Sequence, residues 1–190
     1  MQTNTPQLFI EINNFEIVFI IGKNNKVNEF EFVYSNSIQI NGIRENQVFE
    51  FESIFNSLKE NIYLIEQNVN FTFKEITLII DILNNHLINF TGFKKLNGSQ
   101  LTKQNITFII NSLKRMIDET EINKKIIHIF NSEYLLDKKK VENLPIGLFG
   151  NFYSHELSFS LINKNDFKNL DNIFSRCNLK IKKVISKSFL

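Results

Sequence analysis

The chain has 190 residues and a mass of 22.4 kDa, room for one ordinary domain or two small ones and too little for a full two-lobed enzyme. Hydrophobic residues make up 43%, charged residues 22%, and the mean hydropathy is -0.14, so the chain can bury a core, which argues against disorder and fibrous structure. Its 22 Lys plus Arg nearly balance 20 Asp plus Glu, and a net charge of +2 supplies no strong field for nucleic acid or an anionic membrane.

Cys177 is the single cysteine, which excludes an internal disulfide and a four-cysteine zinc site and fits a reducing compartment, with the cytoplasm as the default. No lysine or arginine precedes the first apolar run, and Glu11 and Glu16 interrupt it, so the N-terminus reads as neither a signal peptide nor a spanning helix. Alanine and tryptophan are absent while Phe, Ile, Asn and Lys abound, the bias expected of an AT-rich genome. Much of the aromatic content is then core filler.

In chain order, LFIEI and FEIVFIIG flank Asn13-Asn14, residues that tolerate positive φ, and predict a tight hairpin. Residues 29–34 alternate charge and aromatic side chains as a third, half-buried strand, followed by a turn-rich stretch through Gly42. Phe51, Ile54, Phe55, Leu58, Ile62 and Ile65 then fall at helical spacing. A strand opens at Lys74-Glu75 with the apolar run ITLIIDIL, and HLINFTGF is expected to pair with it. Thr102 is positioned to cap a helix whose apolar face is Ile106, Ile109, Ile110, Leu113 and Ile117, with Lys114 and Arg115 near its C-terminal end. KKIIHIFNSEYLLD reads as a strand, Pro145 and Gly147 break the chain, and a long strand follows with Leu157, Phe159 and Leu161 on one face. Asn165 or Asp166 is placed to cap a last helix carrying Phe167, Leu170, Ile173, Phe174 and Cys177, and LKIKKVI closes as a strand. This order implies two small α/β units with a junction near residues 73–76.

Chemistry-bearing residues are sparse. His86, His128 and His155 lie far apart in predicted strands without metal-ligand spacing, and read as hydrogen-bonded strand residues. Cys177, beside Arg176 on an apolar helix face, reads as a small core residue. No phosphate-binding glycine pattern occurs among six glycines, and Lys138-Lys139-Lys140 reads as a solvated turn. No catalytic residue and no metal site are expected, and the chain is read as a non-enzyme.

Several segments nevertheless resemble bacterial FtsA, the actin-like cell-division family. Asn131-Ser132-Glu133-Tyr134 matches the family's stretch ending in glutamate and tyrosine, and Pro145-Ile146-Gly147-Leu148-Phe149-Gly150 matches its proline-glycine turn. Arg176-Cys177-Asn178-Leu179 matches the signature that ends its helix. Upstream, the stretch from Gly42 to Val48 running into Phe51-Glu52-Ser53 resembles the turn before the family's first helix, and LFIEINNFEIVFIIG resembles its opening hairpin, whose tip is a first phosphate loop.

The resemblance implies an α/β fold: a partial actin-like (ribonuclease H-like) subdomain 1A followed by a small α+β insertion subdomain. It divides the chain into residues 1–74 as the first half of 1A, 75–184 as the strand–helix–strand–strand insertion, and 185–190 as the start of the return to the core. On this division 1A lacks the strands that complete its sheet and leaves an open edge. The family binds ATP. Here the degenerate phosphate loop keeps Glu11, but Asn13 and Asn14 replace a small pair and Glu16 stands where the family has a lysine, which disfavours a triphosphate. No cofactor is therefore expected.

The function implied is a cell-division scaffold at the cytoplasmic face of the inner membrane. Its partners would be FtsA-like chains in self-association, inner-membrane division proteins, and FtsZ where the missing lobe is supplied elsewhere, with no nucleic acid. The alternatives are half of a split actin-like ATPase, a pilus-assembly actin-like scaffold, and a decayed fragment without a role of its own.

Overall fold

Leu8, Ile10 and Ile12 alternate along β1 (Gln7–Ile12), and Ile17, Phe19 and Ile21 along β2 (Glu16–Asn24). The antiparallel register sets Leu8 opposite Ile21, Ile10 opposite Phe19 and Ile12 opposite Ile17, so all six line one face and are buried. β3 (Phe30–Gln39) pairs antiparallel with β2 and forms a sheet edge. It runs five residues past the predicted Tyr34, because the polar stretch after that residue still ladders onto β2 and Ile38 opposes Ile17. The computed structural model describes residues 5–25, 29–44, 47–80 and 86–187.

A short ladder of β4 (Ile43–Arg44) and β5 (Gln47–Val48) leads into α1 (Phe51–Val69). That helix buries Ile54, Phe55, Leu58, Ile62 and Ile65, as the spacing predicts, and ends at Asn70 in the left-handed region (φ 49). α1 is the crossover that a parallel neighbour of β1 requires: β6 (Glu75–Ile80) runs parallel to β1 with Ile76, Leu78 and Ile80 opposite Leu8, Ile10 and Ile12. α3 (Lys164–Arg176) then leads to β11 (Lys180–Ser186), parallel to β6. The completed sheet has the order β11-β6-β1-β2-β3.

The second sheet, β7-β10-β8-β9, comprises β7 (His86–Lys95), β8 (Lys124–Leu136), β9 (Lys139–Val141) and β10 (Phe152–Asn163). α2 (Lys103–Thr120) packs Ile106, Ile109, Leu113 and Ile117 against Tyr153, Leu157, Phe159 and Leu161. A capping box starts α2: the Asn105 amide donates to Thr102 Oγ1 at 3.3 Å, and the Thr102 amide donates to Asn105 Oδ1 at 2.9 Å. Close approach of helix and sheet needs Gly92, where a Cβ would stand 2.3 Å from Ile109 Cγ2.

The two units are Met1–Asn84 with Asn163–Leu190, and Asn85–Ile162, which moves the expected divisions after residues 74 and 184. β6, α3 and β11 complete the first unit's sheet, because their apolar residues serve that core; the sheet expected to be unfinished has five strands. HLINFTGF, expected to pair with the preceding strand, pairs with β10 in the other sheet, while residues 81–85 of the predicted ITLIIDIL strand lie outside the described residues. Asn163 caps α3 by accepting from the Asn165 amide at 2.8 Å, so neither Asn165 nor Asp166 is the cap. Lys114 and Arg115 stand before the last turn of α2, which holds no basic residue. No described helix is long and apolar enough to cross a membrane.

Candidate functional site

The residues of the degenerate loop come together at the tip of the β1–β2 hairpin, inside the first unit. The turn closes differently from the expectation. Asn13 and Asn14 are absent from the positive-φ residues; instead Asn13 Oδ1 accepts the amides of Phe15 and Glu16, both at 2.9 Å, while the Asn13 amide donates to the Glu16 carbonyl at 3.1 Å. The amides of Asn13, Phe15 and Glu16 are thus consumed within the turn. A phosphate cradle works by aiming such amides outward.

Glu11 stands two residues before the turn, on the face opposite Ile10 and Ile12. Its carboxylate accepts from Lys187 Nζ at 2.5 Å, with 13% of the side chain exposed. Lys187 follows β11, and the parallel alignment of β1, β6 and β11 brings the C-terminal ends of β1 and β11 to the same end of the sheet. Nothing near Glu11 in the sequence signals this partner, 176 residues away.

Beside the hairpin tip lies a hollow of about 500 Å³, rimmed by Phe15, Phe49, Gln39, Asn41 and Glu50. Its floor is backbone: the Ile40 amide donates to the Phe15 carbonyl at 3.0 Å, and the Gly42 carbonyl accepts from Phe49 and Glu50 at 2.7 and 3.0 Å. Gly42 is required there, because a Cβ would stand 2.7 Å from Ile54 Cγ1. The one charged residue in this lining is Glu50, so the hollow carries a negative charge. Such a surface repels phosphate.

The Arg-Cys-Asn-Leu motif has a structural role that its sequence does not signal. Arg176 donates to both carboxylate oxygens of Glu52, at 2.6 and 3.3 Å, and its guanidinium stands 4.0 Å from the centroid of the Phe55 ring. The hydrogen bond from Arg176 holds the Glu52 carboxyl below its usual range. Cys177 is the C-cap of α3, and burial pushes its thiol up, with Lys59 and Arg176 opposing.

In the second unit two residues of the Asn131–Tyr134 stretch of β8 meet a buried histidine. Asn131 and Tyr134 both reach His155, which is 1% exposed: His155 Nε2 donates to Asn131 Oδ1 at 2.9 Å, and the Tyr134 ring lies 4.9 Å away by centroids. His155 Nδ1 and the Tyr153 hydroxyl are buried without hydrogen-bond partners. Burial lowers the His155 pKa and raises that of Tyr153 well above the usual phenol. His86 and His128 stand elsewhere along β7 and β8, and no group of three or more potential metal-ligating side chains occurs among the described residues.

This chain is similar to known proteins in sequence and in fold. It is 21% identical over 178 residues to the cell division protein FtsA of Buchnera aphidicola subsp. Schizaphis graminum (strain Sg), covering 93% of this chain and 42% of that protein. A solved chain of the PilM-PilN type IV pilus biogenesis complex superposes on all of this chain with a TM-score of 0.60 at 9% identity, over 49% of its own length. No family model matches. The chain therefore has an actin-like α/β fold and is FtsA-like in sequence, and it spans less than half the length of either relative.

Proposed function

We propose that this FtsA-like chain is a non-enzymatic scaffold of cell division, working through protein–protein contacts. The observation that carries the reading is the match to FtsA along 93% of the chain, which includes both units. The hairpin tip supports the absence of ATPase activity: its amides are spent on Asn13 and Glu16, the adjoining hollow bears only Glu50 as a charge, and Lys187 occupies the Glu11 carboxylate. ATP is not a ligand in this reading. Its partners are other FtsA-like chains and division proteins at the cytoplasmic face of the inner membrane.

The test is light scattering on the size-exclusion eluate of the chain, with and without a full-length FtsA-like protein. A stable complex is expected; a monomer that ignores the partner removes the scaffold reading. Calorimetric titration with ATP is expected to be flat, and micromolar binding would overturn the ligand-free reading and favour half of a split ATPase. A second reading, a scaffold of pilus assembly, draws on the superposition with the PilM-PilN chain. Complex formation with a PilN-like tail but not with an FtsA-like chain would select it.

A further inference from the structure

The five-stranded sheet has two edges, β3 and β11, and they differ in charge. On β3 the acid Glu31 is answered by Lys23 of β2 at 3.6 Å. On β11, three of seven residues are lysines: Lys180, Lys182 and Lys183. Lysines on an edge strand ordinarily discourage indiscriminate pairing, and that alone assigns no partner.

Two further observations point to one. First, the register of β11 against β6 slips between Ile181 and Lys183, making Lys182 the extra residue of a bulge. Lys182 turns to Glu75 at 2.8 Å, while Lys180 and Lys183 fall opposite Glu75 and Thr77, successive residues of one face of β6. The bulge thereby brings two lysines three apart in sequence to the spacing of alternate strand residues. Ile185, opposite Ile79, continues the same row.

Second, a hollow of about 980 Å³ opens beside this row. Pro6, Phe71 and Phe73 give it apolar walls, and its charged lining is Lys74, Lys182 and Lys183 against Glu75, three cations to one anion. Glu75 is already held by Lys182 and its carboxyl is lowered by it. The charge left over is positive, set along a strand with no outer neighbour strand among the described residues and next to apolar surface.

We propose that the free edge of β11 with this hollow binds an extended acidic peptide segment of a partner protein. The segment adds a sixth strand to the sheet, sets alternate carboxylates against Lys180 and Lys183, and follows them with an apolar side chain beside Ile185 or in the hollow. Main-chain bonds supply affinity in such strand addition, and the alternating side chains supply specificity. An anionic membrane would meet a broad basic surface, whereas these lysines follow the two-residue period of a single strand. The inference stands apart from the division reading, since it needs no division protein for its test.

The test is fluorescence anisotropy with the full 190-residue chain and a labelled peptide in which glutamate alternates with threonine and ends in valine, synthesised in both sequence directions. Saturable binding is expected in one direction, weakened roughly tenfold or more by Lys180→Glu with Lys183→Glu, since two attractions become repulsions. A probe with lysine for glutamate is expected to bind that double variant and not the parent. N-methylation of alternate probe amides is expected to abolish binding to the parent, an arm that needs no variant to fold. The proposal is overturned if neither probe direction binds, if N-methylation leaves binding intact, or if phosphatidylglycerol vesicles but not peptide bind through the same lysines.

Discussion

The two units solve the same packing problem with different material. In the first, strands β1, β2 and β6 meet α1 and α3 through aliphatic and phenylalanine side chains alone: Leu8, Ile10, Phe19, Leu58, Leu78 and Phe174 are each 0–1% exposed. In the second, the face of β10 under α2 carries Tyr153 and His155 among Leu157, Phe159 and Leu161, with two polar atoms left unpaired. The units differ in connectivity as well. The second is the continuous stretch Asn85–Ile162, whereas the first is closed by α3 and β11 from the far end of the chain. The first unit is thus apolar where these elements meet but long-range in topology, and the other is local in topology but polar at its centre.

Ending the chain after Ile162 gives the largest expected effect. It removes Leu170, Ile173 and Phe174, all fully buried, and the strand that pairs with β6. The first unit then loses its cooperative fold while the second keeps its own, and amide hydrogen exchange resolves the two. Protected amides surviving in β1 and β2 of the shortened chain would break the contrast. Next in size, Phe19→Ala in the first unit is expected to cost about 3–5 kcal/mol in urea unfolding, because a buried ring leaves a cavity. Gly92→Ala in the second is expected to cost about 1–3 kcal/mol, since the added methyl meets Ile109 at 2.3 Å and forces α2 off the sheet.

Acid separates the units more finely. His155 is held neutral by burial, below its ordinary 6.5, so the unfolded chain takes up a proton that the native one refuses. The stability this group contributes is complete above about pH 6.5 and is lost progressively as pH falls from there through the lowered native value. Glu52 and Glu75, in the first unit, are held below their ordinary 4.5 by Arg176 and Lys182, so their contribution is lost only at more acid pH. Unfolding followed by exchange between pH 7.5 and 5 is expected to weaken the second unit first, and His155→Gln to flatten that decline. Equal weakening of both units over this interval would remove the distinction. The smallest expected effect is Arg176→Lys, which keeps the charge but not the two-pronged bond to Glu52 or the stacking on Phe55; a slight fall in thermal midpoint checks it.

What could be read along the chain was what neighbouring residues enforce. The helix over Phe51–Val69 follows from apolar residues three and four apart, and the α2 cap follows from Thr102, because both depend on contacts within a turn or two. The match of motifs to FtsA was legible for the same reason, since it rests on ordered local signatures. The hairpin at Asn13 was legible in position but not in mechanism, because positive φ and a side-chain-closed turn use the same residue type.

Strand partnership was decided only in three dimensions. The residues of β6 and β7 follow each other closely and are both apolar, yet one faces Leu8, Ile10 and Ile12 and the other lies against β10. A strand's own alternation says that one face is buried and never against which strand, because the ladder bonds are the same for every partner. The same limit hid Lys187 on Glu11, Arg176 on Glu52, and the bulge that aligns Lys180 with Lys183. Sequence alone determined the local elements and their apolar faces; closure of the sheet by the distant α3–β11 segment set the unit boundaries and the charge at each edge.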